Sequence, residues 1–118
     1  MTPQVLFQKV GSVAPGFNAV MAEHLEDNGE LLPHLLIADL LRYVGSKVGS
    51  ARGIEEVRRI LDVLEEAYRS GDPDTENVIA VSFIEDIERE PFYGRLEPLL
   101  GPELRAERKR QKEAMNAR

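Results

Sequence analysis

Residues 31–44 read LLPHLLIADLLRYV, a run that is stable as a helix only if it is covered on several sides. Leu32, Leu36, Leu40 and Val44 repeat along one helical stripe, and Leu35, Ile37 and Leu41 widen it over most of the circumference. Pro33 suits the first turn, where its missing N–H has no helical acceptor, and Gly45 reads as a left-handed stop after the last apolar position. A helix of this kind is the centre of a small helical domain. With 118 residues, 42% of them hydrophobic, the chain holds one core and is too short for two.

The flanking segments read in the same way. Phe17, Val20, Met21 and Leu25 recur at three- and four-residue steps, so a helix is expected over 15–27, with Asp27-Asn28-Gly29 as the turn into the central helix over 31–44. Glycines and serines between 45 and 53 read as a loop. Ile54, Val57, Ile60, Leu61, Leu64 and Tyr68 then form a narrow stripe opposed by charged residues, predicting a helix over 53–70. On its polar side, the four-residue spacing pairs Glu55 with Arg59 and Glu65 with Arg69.

Asp74 or Thr75 can cap a further helix through Val78, Ile79, Phe83, Ile84 and Ile87 to about residue 90, where Pro91 breaks it. A last helix follows Pro102. The expectation is therefore all-α, a compact bundle of four to five helices in one domain. Its core holds Leu36, Leu40, Ile60, Leu64, Ile79 and Phe83. Residues 1–14, with only Val5-Leu6-Phe7 as an apolar group, are expected to be extended or disordered outside the helical domain of 15–104. Residues 105–118 are expected to be a basic, solvated helix that frays.

Charge is unevenly divided. Residues 1–100 hold 9 Lys and Arg against 18 Asp and Glu, whereas residues 101–118 hold 6 against 3. An acidic body argues against nucleic acid, whose phosphates need Lys and Arg, and favours a basic partner or simply solubility. The basic tail lacks aromatic residues for stacking on bases and an apolar face for lying on a membrane. No apolar run approaches the roughly 20 residues that span a bilayer, and residues 1–16 lack the pattern of a signal peptide. Without cysteine there is no disulfide framework or thiolate metal site, so a cytoplasmic setting is expected.

Catalytic chemistry has few candidates. Gly-rich phosphate loops, G-x-S-x-G and metal spacings such as H-E-x-x-H do not occur. Only His24 and His34 are of the side-chain type that exchanges protons near neutral pH. If the first helical hairpin brings them together beside Asp39, they could form an interhelical pocket for a small enzyme or ligand-binding domain. Asp39 lies in the most apolar helix, and an ion pair, with Arg42 as one available partner, accounts for it more simply than catalysis does. No cofactor or metal is expected. The strongest charge bias runs from Asp72 to Glu90. Asp72, Asp74, Glu76, Glu85, Asp86, Glu88 and Glu90 stand there against Arg89 alone, as a partner-binding surface or simply a solvated helix end. Residues Glu23 to Glu30 form a second acidic stretch.

The segments DNGELLPHLLIADLLRYV, VSFIEDIE and LEPLLGPEL, spread over residues 17–104, resemble a group of small bacterial all-helical proteins. Some members of that group are similar to immunity proteins of interbacterial toxin systems. The resemblance implies a binding protein that neutralises a basic toxin by stoichiometric contact and carries over no catalytic residue. A helical scaffold or homodimer is the blander alternative.

Overall fold

The computed structural model describes residues 1–116, all of whose regular structure is helical. Seven α-helices occur among the described residues: α1 (Pro3–Val13), α2 (Phe17–Asn28), α3 (Pro33–Lys47), α4 (Ala51–Ser70), α5 (Pro73–Ile79), α6 (Tyr93–Leu96) and α7 (Pro102–Asn116). A π-helical turn, Ala80–Ile84, continues α5, and short 3-10 turns cover Ile87–Arg89 and Glu97–Leu99. The radius of gyration of 13.6 Å matches the roughly 13.5 Å of a single domain of this length.

Helix α4 is the hub, packing against α1, α3, α5 and α7. Its stripe of Val57, Ile60, Leu61 and Leu64 is at most 2% exposed, and Leu36, Leu40, Ile79 and Phe83 join the same core. All six expected core residues are buried. The central helix is where its apolar pattern puts it, but α3 continues past Gly45 to Lys47. Gly45 is therefore not a helix stop. Its missing side chain makes room for Phe92, since a Cβ there would lie 2.1 Å from the Phe92 ring.

The largest departure is at the N-terminus. The expected extended or disordered segment is helix α1, started by Thr2, whose hydroxyl accepts the Val5 N–H at 3.2 Å, with Pro3 at the first helical position. Leu6 and Val10 are fully buried and Phe7 is 2% exposed. The Met1 carbonyl accepts from the Asp72 N–H at 3.1 Å and from the Thr75 hydroxyl at 2.8 Å, tying the start of the chain to the start of α5. Residues 1–14 thus belong to the same globule as 15–104.

The helix expected from 74 to 90 is not continuous. After Ile79 the backbone widens into the π turn, where the Glu85 N–H reaches back to the Ala80 carbonyl at 3.0 Å. The inserted residue resets the helical phase, so that Val78 and Ile79 before it and Phe83, Ile84 and Ile87 after it all face the core at no more than 3% exposure. Gln111 of α7 donates to the same Ala80 carbonyl at 2.9 Å. The C-terminal helix is accordingly docked rather than solvated through Gln111, with Leu104 and Arg108 buried, and it is exposed from Lys112 to Asn116. Residues 117 and 118 of that expected helix lie outside the described part.

Candidate protein-binding surface

Helix α2 presents two different flanks because it is buried only at Phe17 and His24. Its outer side carries Glu23, Glu26 and Asp27, and Glu30 follows the left-handed Gly29 (φ 73°) that ends the helix. All four carboxylates are exposed and have no Lys or Arg within ion-pair distance among the described residues. No helix-end charge explains them, since they lie toward the C-terminal half of α2, where the helix dipole disfavours negative charge.

On the inner flank, an open cavity of about 170 Å³ lies between α1, α2 and α3. Gln4, Phe7 and Gln8 of α1 form one wall, Met21 and Leu25 of α2 the other, and Leu31 with Leu36 the floor toward α3. Periodicity counts Leu25 among the inward-facing residues, yet it is 48% exposed at the mouth of this cavity. Leu35, next along α3 from Leu36, is 54% exposed.

The seven carboxylates expected to form the main surface divide into two groups. Three have work within the fold. Asp72 caps α5, accepting the Thr75 N–H and hydroxyl at 2.9 Å each, and these two bonds hold its carboxyl below the usual range. Glu88 lies 2.7 Å from the buried Arg108 guanidinium, and Asp86 lies 3.7 Å from Arg89. Asp74, Glu76, Glu85 and Glu90 have no cationic partner among the described residues; the first three are exposed and Glu90 is half-buried. The break after Ile84 also means that Glu85, Asp86, Glu88 and Glu90 do not share one helical face.

Arg108 organises the end of that region. Its Nε donates to the Tyr93 hydroxyl at 3.3 Å, and its guanidinium carbon lies 5.5 Å from the centre of the Tyr93 ring. Nη2 meets Glu88 at ion-pair distance without hydrogen-bond alignment, and it has no other acceptor. A cavity of about 220 Å³ beside it is lined by Glu85, Glu88, Arg108, Gln111, Ala114 and Met115, so carboxylates share the space with the one guanidinium.

The two histidines do not form a joint site. His24 is 4% exposed, and its Nε2 accepts the Leu32 N–H at 3.0 Å, closing the α2–α3 hairpin. His34 is exposed in the first turn of α3, with Nδ1 2.7 Å from the Ser82 hydroxyl on the π turn. His24 and Asp39 do line one polar cavity of about 200 Å³ with Glu23, Asp27, Asn28 and Val20, and His34 is not part of it. Asp39 is paired with Arg42 by a short hydrogen bond. Among the described residues no group of three His, Asp or Glu side chains is arranged to hold a metal ion.

Sequence reasoning missed three further polar arrangements. Glu65 does not pair with Arg69. It is 8% exposed and turns toward α7, where its carboxylate accepts the N–H groups of Glu103 at 2.5 Å and Leu104 at 3.0 Å. Arg59 likewise leaves Glu55 and donates from Nε to the Val13 carbonyl at 3.1 Å. Tyr68 donates to Glu107 at 2.8 Å and accepts from Arg110 at 3.0 Å. Burial, then the Glu107 bond, raises the Tyr68 phenol above its ordinary range. Burial would raise Glu107 too, but bonds from Tyr68, Gln111 and Arg110 outweigh it and hold that carboxyl low.

In class the chain is a compact, all-helical domain, with seven α-helices among the described residues. The chain belongs to the family described as Domain of unknown function (DUF7674), whose model matches residues 7–115. That span includes most of α1 and nearly all of α7. No curated protein and no solved structure matches the chain. No helix among the described residues is long and apolar enough to cross a membrane.

Proposed function

We propose that the protein is a non-catalytic binding domain that engages a basic protein partner through its acidic surface. In its most specific form the reading is a stoichiometric inhibitor of a basic toxin, of the immunity-protein kind, working in the cytoplasm. The observation that carries it is the set Glu23, Glu26, Asp27 and Glu30: exposed, clustered on one helix and the turn after it, and without a cationic partner among the described residues. Asp74, Glu76 and Glu85 add further exposed carboxylates, while Asp72, Asp86 and Glu88 are committed to the fold. Charges of this kind accelerate encounter with an oppositely charged surface and select against acidic competitors.

A pocket reading is supported by the polar cavity that His24 and Asp39 share. It is the weaker of the two, because the His24 ring already accepts the Leu32 N–H and Asp39 is held by Arg42. The two readings part in one experiment. Affinity purification of the tagged protein from its native host, followed by mass spectrometry, should recover a basic protein in stoichiometric amount. Recovery of a tightly bound small molecule with no protein partner would replace this reading with the pocket.

A further inference from the structure

The open cavity between α1 and α2 is lined largely by apolar side chains, and two of its lining residues, Leu25 and Leu31, each adjoin in the chain an exposed carboxylate, Glu26 and Glu30. We infer that it is the anchor point for a basic amphipathic segment of the partner protein, taking one leucine- or methionine-sized side chain while neighbouring Lys or Arg residues meet Glu26 and Glu30. This inference rests on the proposed binding function and names the part of the partner that the surface takes.

Three observations support that occupant. First, the cavity holds about 170 Å³ and its walls are largely apolar, with Phe7, Met21, Leu25, Leu31 and Leu36 contributing. That is comparable with the roughly 150 Å³ that accommodates a benzene ring in an engineered apolar cavity. Second, Leu25 is 48% exposed at its mouth, although the turn behind it is well ordered by Gly29 and by the His24 bond to Leu32. A leucine left in water on a formed wall gains most from an incoming apolar group. Third, the wall residues alternate in sequence with acid: Glu26 follows Leu25, and Glu30 precedes Leu31. Neither carboxylate has a cation within ion-pair distance among the described residues. An apolar cavity whose wall residues Leu25 and Leu31 each have an exposed acidic neighbour in the chain is complementary to an apolar side chain flanked by basic ones, the arrangement of a helix-in-groove contact.

The probes are two synthetic helical peptides with identical lysine content, one bearing leucines along its apolar face and the other alanines in their place. Both are titrated into the full-length protein at physiological salt, followed by fluorescence anisotropy and by backbone amide shifts. The leucine peptide should bind about tenfold or more tightly than the alanine peptide, and the shifts should centre on Phe7, Met21, Leu25 and Leu31. Leu25→Ser, at a half-exposed position, should remove that preference while leaving the circular dichroism unchanged. Glu26→Lys with Glu30→Lys should weaken both peptides alike. Equal binding of the two peptides, or shifts centred elsewhere, would overturn the anchor and leave the acidic-surface reading standing. Binding of neither peptide would count against both. A stable dimer in sedimentation, with the cavity residues shifted without peptide, would overturn the inference in favour of a second copy as occupant.

Discussion

The carboxylate of Glu65, buried in α4, accepts the Leu104 N–H at 3.0 Å and the Glu103 N–H at 2.5 Å, so one helix supplies the N-terminal cap of another. Gly101, the residue before α7, has no side chain of its own to do this. A Cβ at Gly101 would lie 2.6 Å from the Glu65 carboxylate, so the glycine is what lets the carboxylate approach. Cap and glycine are one device that fastens α7 to the hub helix.

Replacing Glu65 by alanine leaves the part-buried Glu103 N–H and the buried Leu104 N–H without that acceptor and should cost about 1–3 kcal/mol in urea denaturation. Gly101→Ala should destabilise by a similar amount through the clash with Glu65. Because both changes act on the same contact, the double variant should lose clearly less than the two single losses combined. Strict additivity would show that the two residues are not coupled.

Truncation tests the place of α1. Deleting residues 1–14 removes the fully buried Leu6 and Val10 and the bonds from Asp72 and Thr75 to the Met1 carbonyl, and should prevent cooperative unfolding altogether. Phe7→Ala, at 2% exposure, should cost about 3–5 kcal/mol. A truncated protein that unfolds with an unchanged midpoint would return the segment to the periphery.

The seat of Phe92 gives a second steric test. Gly45→Ala places a methyl group 2.1 Å from that ring, which must move, and about 1–3 kcal/mol should be lost as for other overpacked sites. A crystal structure of the variant should show Phe92 displaced from α3. An unchanged melting temperature and an unmoved ring would contradict the packing described.

Alkaline pH should loosen the contact between α3 and α4. Burial, reinforced by the hydrogen bond to Glu56, pushes the Tyr43 phenol from 10.0 up to about 12. A raised folded-state value stabilises the fold below pH 10, and that contribution is lost as pH rises through about 12, because the unfolded phenol ionises first. The loss should be on the order of 2 kcal/mol, and Tyr43→Phe should flatten this part of the stability curve. A wild-type curve equally flat from pH 9 to 12 would exclude the effect.

How much of this was legible in the sequence depended on whether the cause was local. The stripe of α4 and the apolar run of α3 declare themselves by spacing alone, and every expected core residue from Leu36 to Phe83 is buried. Helix α1 carried its own signal, Thr2 and Pro3 ahead of Leu6, Phe7 and Val10, but grouping Val5-Leu6-Phe7 as one short run hid the helical step. The π turn was not legible, because the residues around it are apolar whichever phase the helix takes. The Glu65 cap depends on a contact spanning 39 positions to Leu104, and an i,i+4 pairing with Arg69 was the nearer explanation. On the candidate surface, charge counting located the acidic stretches. It could not tell Asp72 and Glu88, which are used internally, from Glu23 and Glu26, which are not.

The central claim is that exposed carboxylates drive association with a basic partner. Its most direct test is the association rate of the recovered partner, measured over a range of salt for the wild type and for Glu23→Lys with Glu26→Lys. The account predicts a wild-type rate that falls steeply with ionic strength, and a variant about tenfold slower at low salt with a much shallower slope and unchanged fold stability. A rate indifferent to salt and to these reversals would contradict it.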